Sequence, residues 1–301
     1  MSPTLGFIGT GSMGGPMVRN LLKAGHRVVI CDADHKAVAQ LRKDGAVPAA
    51  TPAEVAAQAT TIFFCLPSLA VISEVISGAN GIVQSGKARI CVNFSTAGPH
   101  FVEDIAARLA KANIILLDCP ITGGTLSAAD GTLSITVSGQ RSTYDEVKPL
   151  LDCVARDFFH VGDKPGQAQL MKLINDMLSF SAFIASCEAM VLGTKAGMDP
   201  KVMLDIINAG TGRNSATIAK FPNNILPRTF DYGAKLAISH KDIALCLEQA
   251  AEYGVPMWMG NTTKQMIDFG VSQLGDQVDI THLIRLYEQW AGTEVTGRKN
   301  G

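Results

Sequence analysis

A lysine inside an apolar stretch, Leu170-Met171-Lys172-Leu173-Ile174, is the residue of this sequence with the most chemistry available to it. Apolar surroundings disfavour the ammonium form, so such a lysine titrates nearer working pH and can take or give a proton. Asn175 and Asp176 follow three and four positions later, and on a helix all three side chains project from roughly one face. Asn175 can donate a hydrogen bond to a substrate oxygen, whereas an ionised Asp176 can only accept one. The plainer reading of Lys172 is a solvated charge on a long helix.

Near the start, Gly9-Thr10-Gly11-Ser12-Met13-Gly14 follows an apolar strand pattern and opens a helix expected over Ser12 to Ala24. That context makes the G-x-G-x-x-G spacing a dinucleotide loop. Gly9 permits the tight turn, Gly11 lets backbone approach a pyrophosphate, Gly14 allows helix-to-strand contact, and the helix start offers unpaired N–H groups to the anion. The plainer alternative is a glycine-rich turn. Asp32 ends the second expected strand, 23 residues after Gly9, where a carboxylate accepts from ribose hydroxyls and repels a 2′-phosphate. NAD is therefore expected over NADP, although Lys36 or Arg42 is within reach of a phosphate.

These groups need a scaffold. Up to about Asp163, short runs at Leu5–Ile8, Arg27–Cys31, Thr60–Leu66, Arg89–Asn93, Asn113–Asp118 and Thr132–Val137 alternate with helical patterns such as Ala53–Gln58 and Phe101–Ala112. Such alternation predicts α/β structure, a doubly wound Rossmann-type sheet, mainly parallel with helices on both faces. After Gly162-Asp163-Lys164-Pro165, residues 166–197 run without proline at helical spacing and predict one long interdomain helix. Further helices are expected near 200–209, 234–253, 256–269 and 280–290. The expected domains are 1–163 for the dinucleotide, 164–295 as an all-α domain for substrate and oligomerisation, and 296–301 as a flexible tail.

Composition narrows the function classes. With 26 basic and 27 acidic residues among 301, the net charge of -1 gives no bulk field for nucleic acid or anionic membrane. The start lacks a signal-peptide pattern, and the longest uninterrupted apolar runs are far shorter than a membrane span, so a soluble, cytoplasmic protein is expected. Seven cysteines without a C-x-x-C pair and six histidines without ligand spacing indicate neither disulfides nor a metal site.

The opening Gly6-Phe7-Ile8-Gly9-Thr10-Gly11-Ser12-Met13-Gly14-Gly15-Pro16-Met17 resembles the β-hydroxyacid dehydrogenase family, which includes 3-hydroxyisobutyrate dehydrogenase, tartronate semialdehyde reductase and 2-(hydroxymethyl)glutarate dehydrogenase. Further matching segments follow in family order: Leu66-Pro67, Ser95-Thr96, Asp118 to Gly124 with Gly131-Thr132-Leu133, Gly166-x5-Lys172-x2-Asn175, and Lys241 to Leu245. The resemblance covers nearly the whole chain. It implies an NAD-dependent oxidoreductase acting on a small anionic β-hydroxyacid or its semialdehyde, with Lys172 as general base and acid and Asn175 beside it. It also implies that Leu66, Pro67 and Thr96 border the cofactor, that Thr122, Gly123 and Gly124 grip the substrate carboxylate, and that Lys241 reaches the cofactor. Homodimers or homotetramers are implied too.

Three positions depart from the family pattern. Asp176 stands where relatives commonly have asparagine; it either holds Lys172 charged or reads a substrate hydroxyl or ammonium group. Thr122 replaces the usual serine and keeps a hydroxyl donor, while Ala168 replaces a common glycine. Arg213, in Thr211-Gly212-Arg213-Asn214, offers a planar fork to a second anionic group, against the plainer reading of a surface arginine. Trp258 and Trp290 read as core or subunit interface. Two other functions fit the fold: an imine reductase, for which Lys172 and the Thr122-Gly123-Gly124 grip are awkward, and a non-catalytic dinucleotide scaffold.

Overall fold

The computed structural model describes residues 3–297, which divide into two compact units at the boundary between Lys172 and Leu173. The first unit is built on a nine-stranded sheet: β1 Leu5–Ile8, β2 Val28–Cys31, β3 Val47–Pro48, β4 Thr61–Phe64, β5 Ile90–Asn93, β6 Ile115–Asp118, β7 Ile121–Thr122, β8 Leu133–Ser138 and β9 Ala155–Gly162. The order is β3-β2-β1-β4-β5-β6-β8-β7, with β9 pairing β8. Strands β1 to β6 run parallel, and β8 runs antiparallel to β6 and β7. Chain order reverses between β1 and β4, and in such sheets the crevice beyond the strand C-termini at the reversal is where ligands bind.

Every residue of β1, β2, β4 and β5 is buried, which explains the unbroken apolar runs. Side chains alternate between two apolar layers: Leu5, Phe7, Ile30, Phe63 and Val92 enter one, and Ile8, Val29, Ile62, Phe64 and Cys91 the other. Phe63 and Phe94 stack with ring centroids 5.6 Å apart, and Phe7 lies 6.0 Å from Phe63. The expected strands appear with ends shortened or shifted by a residue or two. The first helix starts at Gly14 and ends at Lys23, leaving Ser12 and Met13 in the loop ahead of it.

The long helix spans Gln167–Lys195, its first turns in the first unit and the rest in the second. By length and composition it could cross a membrane, a property shared with core helices of soluble proteins. In the second unit its Phe183, Cys187 and Met190 are fully buried among side chains from the helices Pro200–Ala209, Leu236–Glu252 and Trp258–Leu274. The segment expected as one helix near residue 280 is a 3₁₀ turn, Ile280–Leu283, leading into Ile284–Ala291. An additional π-helix, Ala216–Ile225, contains Pro222; a proline supplies no N–H and crowds the preceding turn, which favours wider winding. Trp258 and Trp290 are exposed on the single chain, so the core reading fails for them.

Of the expected tail, residues 298–301 lie outside the described residues, but Gly297 N–H donates to Leu226 O at 3.1 Å. Just before it Val295 is buried, and its N–H donates to Glu288 at 2.9 Å. Glu288 accepts from both terminal guanidinium nitrogens, Nη1 and Nη2, of Arg228, with side chains only 8% and 16% exposed. Removing one member of such a pair strands the other charge, so Arg228→Ala is expected to cost about 3 kcal/mol in chemical denaturation. A loss below about 1 kcal/mol would show that water already serves this carboxylate.

Candidate functional site

Five of the segments singled out in the first unit emerge from the C-terminal end of a parallel strand, while Gly131-Thr132-Leu133 leads into β8. The glycine loop follows β1, Asp32 follows β2, Leu66-Pro67 follows β4, Ser95-Thr96 follows β5, and the Cys119 to Gly124 segment follows β6. The glycines have unequal reasons for being there. Gly9 has φ +88°, and a Cβ there would lie 2.2 Å from Cys65 O. A Cβ on Gly14 would come within 1.9 Å of Gly9 O and 2.9 Å of the Phe7 ring. Gly11 faces open space. Two glycines thus close the turn and one leaves backbone exposed for a ligand, which is the fit a pyrophosphate requires. Thr10, Gly11, Ser12, Gly15, Pro16 and Arg19 contribute to a cleft of about 320 Å³ beside this loop.

Asp32 is half-buried, and its carboxylate also fastens the loop. Oδ2 accepts from the Thr10 N–H and hydroxyl, and Oδ1 accepts from Asp34 N–H at 2.7 Å. A carboxylate has about four lone-pair sites, so three internal donors leave about one for a ribose hydroxyl. Asp34 caps the helix His35–Lys43 that carries Lys36 and Arg42.

The loops after β4 and β5 are joined by Leu66 N–H donating to Ser95 Oγ at 2.8 Å. The next layer comes from the start of the long helix. Gln169, fully buried, accepts on Oε1 from Ala97 N–H at 2.9 Å and Gly98 N–H at 3.2 Å, and donates from Nε2 to Ser95 O at 3.0 Å. Lys172, half-buried, is three residues further along this helix. Ala168 is buried and donates its N–H to Ser138 Oγ at 3.0 Å. Thr122 is half-buried, whereas Gly123 and Gly124 are exposed before the short helix Thr125–Asp130.

In the second unit Asn175 is exposed and Asp176 buried, and Asn175 Nδ2 approaches Asp176 Oδ1 at 3.4 Å. The sequence reading overlooked Lys220, a lysine only 4% exposed on the π-helix. Its Nζ lies 4.6 Å from the centroid of the Tyr232 ring and 5.9 Å from that of Phe183. Burial lowers its pKa from the usual lysine range, and the charge of Asp176, followed by that of Asp279, opposes this shift. Asp176 therefore has a buried cation to compensate within its own unit. Lys241 Nζ pairs with the buried carboxylate of Asp242 at 2.6 Å. Arg213 is exposed in the loop before the π-helix, where Asn214 caps the turn by accepting from Ala216 and Thr217 N–H.

Asn93 and Asp118 are also absent from the sequence-predicted site. Asp118 appears in a family segment, yet nothing in its spacing assigns it a task; the signal was a carboxyl closing a wholly apolar strand. Among the described residues, no group of three or more His, Cys, Asp or Glu side chains is placed to hold a metal ion.

Comparison with known proteins adds independent information. Residues 4–162 match the family described as the NAD binding domain of 6-phosphogluconate dehydrogenase. Residues 166–287 match that described as NAD-binding of NADP-dependent 3-hydroxyisobutyrate dehydrogenase. The chain is 33% identical over 294 residues to 2-(hydroxymethyl)glutarate dehydrogenase of Eubacterium barkeri, covering 97% of each chain. It is 34% identical over 287 residues to a probable mitochondrial 3-hydroxyisobutyrate dehydrogenase of Dictyostelium discoideum, covering 93% of this chain and 89% of that one. A solved Mycobacterium tuberculosis 3-hydroxyisobutyrate dehydrogenase with L-serine superposes with TM-score 0.85 at 27% identity, covering 95% and 99% of the two chains. An imine reductase of Streptomyces aurantiacus, at 20% identity and TM-score 0.63 over 94% and 99%, shares the fold.

The contact at Gly14 gives a direct test. Gly14→Ala places a methyl group against backbone with no flexible neighbour to yield, and such overpacking costs about 1–3 kcal/mol. NADH affinity, followed by fluorescence titration, is expected to fall at least about 10-fold. Unaltered affinity would mean that the turn opens without consequence for the dinucleotide.

Proposed function

This chain belongs to the β-hydroxyacid dehydrogenase family typified by 3-hydroxyisobutyrate dehydrogenase, NAD(P)-dependent oxidoreductases acting on CH–OH groups, and from that premise we propose that Lys172 is its proton-transfer residue and a small anionic β-hydroxyacid or semialdehyde its substrate. The observation that carries the assignment is the set of hydrogen bonds from Gln169 to Ser95, Ala97 and Gly98. They fix the helix one turn before Lys172 to the loop following β5, at the same edge of the sheet as the glycine loop.

A bound nicotinamide cofactor supplies the hydride acceptor for oxidation and the donor for reduction. Oxidation also requires the hydroxyl proton to leave oxygen, and Lys172 Nζ accepts it; in the reverse direction the lysine returns that proton to the carbonyl oxygen. Asn175 donates to the substrate oxygen. Thr122, with the backbone of Gly123 and Gly124, holds the substrate carboxylate. Lys241 enters the proposal on the family resemblance, and Arg213 on the planar fork it offers to a second anionic group. Asp176 is the specificity residue, reading a hydroxyl or ammonium group on the substrate. We favour NAD on the strength of Asp32, whose carboxylate keeps acceptor capacity toward a ribose hydroxyl and repels a 2′-phosphate. Seven free cysteine thiols support a reducing, cytoplasmic setting, and exposed Leu192, Ile206, Trp258 and Trp290 support a homodimer or homotetramer.

Lys172→Ala is expected to lower kcat at least about 1,000-fold while changing NADH affinity less than about threefold. The measurement is NADH formation across 3-hydroxyisobutyrate, glycerate, serine, threonate and a sulfonate analogue. Near-wild-type turnover in this variant would remove Lys172 from the mechanism. Running the panel with both cofactors tests Asp32. Asp32→Ser is expected to shrink the preference for NAD over NADP in kcat/KM by about 10-fold or more, and an unaltered ratio would assign the choice elsewhere.

A further inference from the structure

Asp118 closes β6 with its carboxyl fully buried, and the groups facing it from the surrounding elements are uncharged. From β5, Asn93 Nδ2 donates to Oδ1 at 3.0 Å; from the long helix, Gln169 Nε2 donates to the same oxygen at 2.7 Å. From β8, Ser138 Oγ donates to Oδ2 at 3.4 Å, and Gly166 N–H adds a fourth bond. The adjacent thiol of Cys119 is buried as well and pushed well up, first by burial and then by Asp118 itself. No cation contributes to the environment of this carboxyl, and burial, only partly offset by the four donors, pushes it up to about 7.

The partners of Asp118 lead outward in two directions. Asn93 also donates to Ser95 O at 3.2 Å and accepts from Ser95 N–H at 2.8 Å, and Ser95 Oγ holds Leu66 N–H. Gln169 spans to Ser95, Ala97 and Gly98, while Ser138 Oγ holds Ala168 N–H. The loops after β4 and β5, the root of the Cys119 to Gly124 segment and the first turn of the helix bearing Lys172 therefore meet at one carboxyl.

We propose that Asp118 is the positioning residue of this enzyme, setting the helix that carries Lys172 in register with the loops beyond β4 and β5 through Gln169 and Asn93. The catalytic half of this inference rests on Lys172 as the proton-transfer residue; the cofactor half does not. Ionised Asp118 offers charge-assisted acceptors to all four donors. On protonation the bonds to Asn93 and Gln169 weaken, and only Ser138, whose hydroxyl can also accept, is able to take the new O–H. The network is thus tightest above pH about 7 and loosens below it.

Asp118→Asn preserves shape and removes the titration. With 3-hydroxyisobutyrate as substrate at pH 8, kcat is expected to fall about 10-fold or more, with KM changed less than about threefold. Gln169→Leu, which leaves Asp118 in place, is expected to give the same pattern and replaces Asp118→Asn should that variant fail to accumulate. The arm independent of Lys172 uses NADH fluorescence titration of the Lys172→Ala chain between pH 5.5 and 8.5. Its NADH affinity is expected to weaken severalfold as pH falls through about 7, and the Lys172→Ala/Asp118→Asn chain is expected to be flat across the range. Identical pH dependence in the two chains, or kcat in Asp118→Asn and Gln169→Leu within twofold of wild type, would overturn the proposal, including the case in which the variants merely melt at lower temperature.

Discussion

A buried carboxyl without a counter-ion is costly, and a fold retains one only where several donors converge on it. Asp118 has four such donors, and they come from β5, β8, Gly166 just before the long helix and Gln169 in its first turn. The sign of its linkage to stability follows from the upward displacement. The folded chain holds a proton that the unfolded chain releases, so this group's contribution to stability declines as pH rises from about 4 to about 7 and is level beyond. The molecule therefore carries an arrangement that becomes less favourable for folding over the same range in which its polar network becomes better defined. That opposition is characteristic of groups placed to hold other groups in position rather than to maximise stability.

Much of this organisation is visible in the sequence because it is periodic or sterically obligatory. Buried parallel strands must be apolar on both faces, so β1, β2, β4 and β5 stand out, and the glycines at 9 and 14 are forced by backbone lying within a methyl's reach. Strands β3 and β7 have two residues each, too few to show a period. β9 was missed because it mixes Arg156, Asp157 and His160 with apolar residues, the pattern of a partly exposed edge. The π-helix at 216–225 has no periodic signal of its own, since Pro222 reads as a helix stop. Asn93, Asp118 and Gln169 are far apart in sequence, and a network of three polar side chains joined only by tertiary structure leaves no local spacing to recognise.

The sequence reads Asp32 only as a ribose-facing carboxylate, whereas in the structure its side chain also accepts from Thr10 and Asp34. If Asp32 sets cofactor choice as proposed, that choice is coupled to the geometry of the glycine loop. A substitution that removes the carboxylate to admit a 2′-phosphate also frees the turn that receives the pyrophosphate, so a switch of cofactor requires a replacement able to accept from Thr10.

A different coupling lies in the second unit, between Asp176 and Lys220. The sequence left Asp176 either as the partner that keeps Lys172 charged or as a reader of the substrate, and the structure adds a third relation through buried Lys220. Substitution of Asp176 by asparagine would leave Lys220 with Asp279 and, after it, Cys187 opposing the effect of burial, so positions 176 and 220 are coupled.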